Sequence, residues 1–262
     1  MTAGAWAGAD GTRDRWFRRA TGPGAGQRVR LFCLPYAGGG AGVFHDWLRA
    51  GSDMGVEVFA VRLPGRERRL AERPFDDARL LAERLAAVLE PYLDRPYGIY
   101  GHSMGGVAGL ALVHELARSP RSRQPLGLFV GASAPPGSLR PEARWSGSDA
   151  ELVDWLRRTG GTPASVLARP GLVARVLPAL RADLALAAGY RVRPSERLAV
   201  PIQGFAGAAD PLVTAASMAR WSAQTEAGFS LSRVPGGHFF LAESGRRVLG
   251  TVARSIQHLL DR

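Results

Sequence analysis

Ser103, Asp210 and His238 are the residues whose types and settings could carry chemistry, and the chemistry would be acyl transfer. Ser103 stands in Gly101-His102-Ser103-Met104-Gly105, between the apolar run Tyr97-Gly98-Ile99-Tyr100 and a helical run from Val107 to Leu116. Strand, tight turn and helix with a serine at the apex read as a nucleophile elbow. A bare G-x-S-x-G means little in a chain with 33 glycines; its placement between strand and helix gives it weight. The turn leaves room only for glycine at positions 101 and 105. The helix behind it aims its first amide hydrogens at the reacting centre.

A serine hydroxyl is a poor nucleophile without a base, and the base needs an acid to orient it. In this setting the order along the chain is Ser, then Asp or Glu, then His, each after a strand. Of five histidines, His238 fits, in Pro235-Gly236-Gly237-His238-Phe239-Phe240 after the apolar run 229–234. His102 adjoins the serine and is expected to point away from its hydroxyl. His45, His114 and His258 fall within helical patterns, where packing or surface roles are expected. Asp210 fits the acid, in Gly207-Ala208-Ala209-Asp210-Pro211. Asp149 and Asp183 lie in an insertion and Glu243 opens the last helix, so they are weaker candidates. Gly131-Ala132-Ser133-Ala134-Pro135, where some relatives of this architecture carry the acid, holds no carboxylate. The oxyanion also needs donors. The backbone N–H of Met104, just after the nucleophile, is one. The second is expected from Pro35-Tyr36-Ala37-Gly38-Gly39-Gly40, at the Ala37 N–H.

The elements that must position these groups alternate. Strands are expected at Val29–Leu34, Val56–Val61, Gly98–Tyr100, Leu126–Gly131, Ile202–Ala206 and Phe229–Val234. All are near-continuous apolar runs, as in strands covered on both faces. Helices are expected at about 44–51, 76–93, 104–118, 214–223 and 243–260. This alternation predicts a parallel sheet with right-handed crossovers. Residues 1–27 read as a flexible lead-in, with Trp16 and Phe17 able to dock on the body. Residues 28–133 and 200–262 form the core. Residues 134–199 interrupt the rhythm as a helical insertion, expected as a lid over the carboxyl edge of the sheet. Within it Asp149 caps a helix to Thr159, Gly160-Gly161 ends it, and Pro170 starts another towards Gly189. Leu172, Val176, Leu180 and Leu184 make a stripe there, and Pro178 is expected to kink or divide that helix.

Composition narrows the function class. A hydrophobic content of 46% over 262 residues supplies a sizeable core, and no apolar run approaches membrane-span length. Residues 1–26 hold no continuous apolar segment, so no secretory signal is expected. The lone Cys33 excludes an internal disulfide or a multi-cysteine metal site and is expected to be a buried, inert thiol. A cytoplasmic protein is expected. The formal charge is +11, with 34 basic residues, all arginine. These are scattered along the chain with no zinc spacing or RNA-binding signature, which argues against nucleic acid and leaves acidic protein partners.

The series Leu34-Pro35-Tyr36-Ala37-Gly38-Gly39, Leu63-Pro64-Gly65-Arg66, Gly101-His102-Ser103-Met104-Gly105, Gly207 to Pro211 and Gly236-Gly237-His238-Phe239 resembles the type II thioesterases. These are the free-standing editing enzymes of modular polyketide and nonribosomal peptide synthases. The resemblance spans roughly residues 15–260. It implies an α/β-hydrolase fold with a helical lid. It implies hydrolysis of acyl groups carried on the phosphopantetheine arm of acyl or peptidyl carrier proteins, clearing stalled or misprimed chains. Ser103, Asp210 and His238 carry over as the triad, and the amides of Ala37 and Met104 as oxyanion donors. The enzyme needs no cofactor of its own on this reading; it acts as a monomer, with no metal, membrane or nucleic-acid partner. The triad alone leaves open a carboxylic ester hydrolase or acyltransferase of the same fold, and a non-catalytic hydrolase-like binding protein.

Overall fold

The structure is a computed structural model that describes residues 15–20, 29–119, 122–138, 147–162, 164–193 and 195–261. The expectations for residues 1–14 and 21–28, and for the part of the insertion at 139–146, lie outside the described residues.

Seven strands form one sheet: β1 (Phe17–Arg18), β2 (Val29–Leu34), β3 (Val56–Val61), β4 (Tyr97–His102), β5 (Leu128–Gly131), β6 (Ile202–Gly207) and β7 (Phe229–Val234). Their order is β1-β3-β2-β4-β5-β6-β7. All neighbours are parallel except β1, which runs antiparallel along β3 with Phe17 opposite Val61. The helices are α1 (His45–Ala50), α2 (Ala78–Leu89), α3 (Met104–Arg118), α4 (Asp149–Thr159), α5 (Ala164–Leu167), α6 (Pro170–Gly189), α7 (Ala215–Ala219) and α8 (Leu241–Leu260).

Burial on both faces explains why the inner strands read as unbroken apolar runs; β7, the edge strand FSLSRV, differs from that expectation, with only Val234 buried. Phe32 and Leu34 of β2 join Tyr97 and Ile99 of β4 in one buried layer, covered by α2 and α3. Leu31, Cys33 and Tyr100 face the opposite layer, covered by α1 and α8. Cys33 is fully buried, and burial pushes its thiol well above the ordinary range.

Within the lead-in expected over 1–27, Trp16 and Phe17 do dock on the body, and Phe17–Arg18 form a strand beyond those expected from the sequence. Trp16 and Phe17 are 3% and 4% exposed. Phe17 packs edge-on against Phe59 and Tyr92, while the Arg69 guanidinium lies 3.8 Å from the Trp16 ring centroid. Two aromatics carry enough apolar area to pin so short a strand to the sheet edge.

The insertion packs α4 and α6 around Leu152, Leu156, Val173, Leu177 and Leu180, with α5 between them. Ser148, not Asp149, caps α4. The Ser148 Oγ accepts from the Glu151 N–H, and the Glu151 carboxylate accepts from the Ser148 N–H at 2.7 Å. The Ser-x-x-Glu spacing carries that signal. α6 passes through Pro178 undivided. Its buried face runs through Val173, Leu177, Leu180 and Ala187, sharing Leu180 with the expected stripe, while Leu172, Val176 and Leu184 are half-buried beside it. A strict i, i+4 series walks about 40° round a helix per step, so only part of it stays on one face.

Candidate active site

Parallel pairing puts the ends of β4, β6 and β7 on one carboxyl edge, and the three candidate side chains leave from there. Ser103 directly follows β4, Asp210 follows β6 by three residues, and His238 follows β7 by four. Because β6 and β7 are neighbours, Asp210 and His238 meet although 28 residues separate them. His238 Nδ1 lies 3.0 Å from Asp210 Oδ2, and His238 Nε2 lies 3.0 Å from Ser103 Oγ. An ionised carboxylate only accepts, so the Nδ1 proton points to Asp210 and Nε2 is free to accept from the serine hydroxyl. Asp210 Oδ1 accepts from the N–H groups of Leu212 and Val213. Burial alone would raise this carboxyl. The hydrogen bond and charge of His238, with the two amides, outweigh it and hold Asp210 below its ordinary range.

The elbow is strained where the chemistry needs it. Ser103 has φ 53° and ψ −118°, outside the helical and extended regions. A side chain at Gly101 would run into the Gly105 carbonyl, and one at Gly105 would lie 2.7 Å from the Pro35 carbonyl oxygen. This close approach sets the start of α3 directly against the chain leaving β2, where Ala37 lies. Among the described residues the amides of Ala37 and Met104 make no hydrogen bond. No group of three or more His, Cys, Asp or Glu side chains among them is placed to hold a metal ion.

The family model of the thioesterase domain matches residues 29–260. This chain belongs to the thioesterase family. The gramicidin S biosynthesis protein GrsT of Aneurinibacillus migulanus is 35% identical over 251 residues, 94% of this chain and 96% of GrsT. The type II thioesterase BorB from the borrelidin biosynthetic cluster superposes with a TM-score of 0.82 at 35% identity, covering 93% of this chain and 98% of BorB. RedJ, a thioesterase from the prodiginine pathway of Streptomyces coelicolor, gives 0.81 at 34% identity, covering 91% of this chain and 96% of RedJ. The fold is that of the α/β-hydrolases, and the chain is a thioester hydrolase.

The thioesterase site has supports that sequence reasoning left unassigned. His102 is fully buried, and its Nε2 lies 2.7 Å from the His238 carbonyl oxygen. A carbonyl only accepts, so Nε2 carries the proton and Nδ1 accepts from the Tyr100 hydroxyl at 3.1 Å. Burial, then the neighbouring His238, push the His102 pKa down to about 3, so it stays neutral while bracing the histidine loop. Ser133 Oγ donates to the Ser103 carbonyl at 2.7 Å; a serine thus occupies the post-β5 position that lacked a carboxylate. The Tyr36 ring packs edge-on against Phe239, and Phe239 against His238.

The remaining candidates are elsewhere. Asp149 pairs with Arg181 on the surface, and Glu243 lies in the first turn of α8. His114 bridges the Tyr190 hydroxyl and the Glu196 carbonyl. His45 meets Arg18. His258 lines a cavity of about 500 Å³ at the amino-terminal ends of β5 to β7, the opposite edge of the sheet from Ser103. Among the described residues no helix is long and apolar enough to cross a membrane.

Proposed function

We propose that this thioesterase hydrolyses acyl groups from the phosphopantetheine arm of acyl or peptidyl carrier proteins, through an acyl-enzyme on Ser103. The observation that carries the mechanism is the chain of two 3.0 Å contacts from Asp210 through His238 to Ser103. His238 Nε2 takes the Ser103 proton as Oγ attacks the thioester carbonyl carbon. The carbonyl oxygen becomes an oxyanion, held by the amides of Ala37 and Met104. Each such donor contributes about 3–4 kcal/mol to lowering the barrier. The C–S bond then breaks, and the imidazolium returns its proton to the departing thiolate. Water enters, loses a proton to His238 and attacks the acyl-serine. Collapse of the second tetrahedral intermediate releases the carboxylic acid and restores the serine hydroxyl. A thiol pKa near ~8.5 makes the sulfur a far better leaving group than an alkoxide, and no step calls for a resident cofactor.

The carrier-bound substrate is supported by the relatives, among them GrsT of gramicidin S biosynthesis. The helical insertion serves as the lid over the carboxyl edge, and the enzyme works as a cytoplasmic monomer that visits its synthase. A panel of carrier proteins loaded with different acyl groups, followed by intact mass, tests this reading. Release of free carrier thiol by the parent and not by Ser103→Ala is expected; acyl carriers untouched by an enzyme that cleaves small thioesters would contradict the carrier assignment.

A further inference from the structure

Asp183 is a carboxylate, 1% exposed, that the proton relay does not use. It lies on α6 of the insertion and meets Arg66, the last residue of the Leu63–Arg66 motif. Arg66 Nη1 and Nη2 reach Asp183 Oδ2 and Oδ1 at 2.6 and 2.8 Å, a two-pronged pair with both partners buried. A buried ion pair is weak grounds for stability, since apolar side chains of similar size do as well. These two side chains, however, do something apolar ones cannot. Asp183 Oδ2 accepts from the Gly38 N–H at 2.7 Å, and Arg66 Nη1 donates to the Gly39 carbonyl at 3.0 Å.

Gly38 and Gly39 belong to the loop that carries Ala37. Residues 36–39 form a turn closed by the Gly39 N–H on the Tyr36 carbonyl at 2.9 Å, with Gly38 at φ 75° in its third position. A left-handed third residue is what a type II turn requires, and the peptide unit between the two central residues is what distinguishes it from type I. That unit is Ala37–Gly38, and its N–H is the group Asp183 holds. The clamp therefore fixes the backbone immediately on the far side of Ala37. The hydrophobic contacts agree: Ala37 packs against both the body and the insertion cluster, and Leu180 and Val176 of α6 sit beside Gly38. Glu67, next to Arg66, accepts from the Gly42 N–H further along the same loop.

We propose that Asp183, with Arg66, is a positioning residue for the oxyanion donor at Ala37, so that the donor is set only while α6 is docked on the body. The inference rests on the assignment of Ala37 in the mechanism above. Its consequence is that the insertion completes the catalytic site as well as covering it.

The test uses the full chain with Asp183→Asn, a short acyl-N-acetylcysteamine thioester as substrate and an alkyl boronic acid as inhibitor. The boron bonds Ser103 Oγ and places a hydroxyl where the oxyanion would form. The expected result, per titrated active site, is a ten- to hundredfold lower kcat, KM within twofold of the parent, and a boronate Ki raised by a factor similar to the kcat loss. A kcat within twofold of the parent, or a kcat loss with unchanged boronate Ki, would overturn the proposal. A merely structural role would reduce the titre of active enzyme and leave both per-site values alone. Should Asp183→Asn fail to fold because Arg66 is left unpaired, the double variant Arg66→Met with Asp183→Leu gives the same readings, and parent-like kcat there overturns the proposal equally. Ser103→Ala run alongside separates the two claims. If it is inert while the Asp183 variants are unaffected, only the clamp falls.

Discussion

Ser103 holds a backbone conformation that only glycine adopts without cost, a strain of order 1–3 kcal/mol at such sites. It persists because β4, α3 and the Gly131 carbonyl, which accepts the Ser103 N–H at 2.8 Å, fix it from both sides. Two substitutions separate chemistry from strain. Ser103→Ala and Ser103→Gly are both expected to abolish hydrolysis. Ser103→Gly should unfold about 2–4 °C higher than Ser103→Ala, matching relief of about 1 kcal/mol in a domain of this size; equal midpoints in a thermal melt would show the elbow to be unstrained. His102 supplies a second prediction. Its pKa falls from 6.5 unfolded to about 3 folded, so between those values the unfolded chain binds a proton that the folded chain refuses. Stability is therefore lost as pH falls through that window, by roughly 2–3 kcal/mol from this group between pH 7 and 4.5. Asp210, held below 3.8 in the fold, loses its contribution only at lower pH. Urea midpoints at the two pH values should converge in His102→Gln relative to the parent; the same drop in both would remove His102 as the source.

The elements were legible from the sequence wherever the signal was local. β2, β3, β7 and α3 carry their full pattern in consecutive residues, and the Gly101–Gly105 elbow is readable because a steric limit dictates residue type. The positions of Asp210 and His238 were legible because chain order and strand endings suffice to place them. What escaped depends on contacts far apart in sequence. β1 is two residues long, and its identity comes from Phe59, Tyr92 and Arg69 waiting on the body. Asp183 read as a weaker candidate acid because it lies in the insertion, and nothing in its neighbourhood along the chain reveals Arg66, 117 positions away, or the Gly38 amide. The bracing role of His102 likewise hangs on a carbonyl 136 residues downstream. At the level of elements α3 sits hard against the end of β2. Gly105→Ala puts a methyl group into the Leu34 and Pro35 carbonyls, and backbone cannot swing aside as a side chain would. A loss of at least about 3 kcal/mol in chemical denaturation is expected, at the upper end of overpacking costs; a loss under 1 kcal/mol would mean that α3 slides freely on the sheet.

The whole chain carries a formal charge of +11, from 34 basic and 23 acidic residues, around a site built at one sheet edge. Such a field draws in acidic macromolecules over distances comparable to the Debye length, about 10 Å at 0.1 M salt and 3 Å at 1 M. Raising salt from 0.05 to 0.5 M should lower kcat/KM for an acyl carrier protein about tenfold or more and leave a small acyl-pantetheine within twofold. Equal sensitivity of the two substrates would remove electrostatic steering from the account. In the proposed mechanism the steering, the lid and the Asp183 clamp all serve one event, transfer of the acyl group from sulfur to Ser103 Oγ. Acid quenching during turnover of an acyl-pantetheine, followed by peptide mass mapping, observes that event directly. An added acyl mass on the peptide containing Ser103, absent in Ser103→Ala, is the predicted result. Steady hydrolysis with that peptide unmodified at every quench time, or continued turnover by Ser103→Ala, would contradict it.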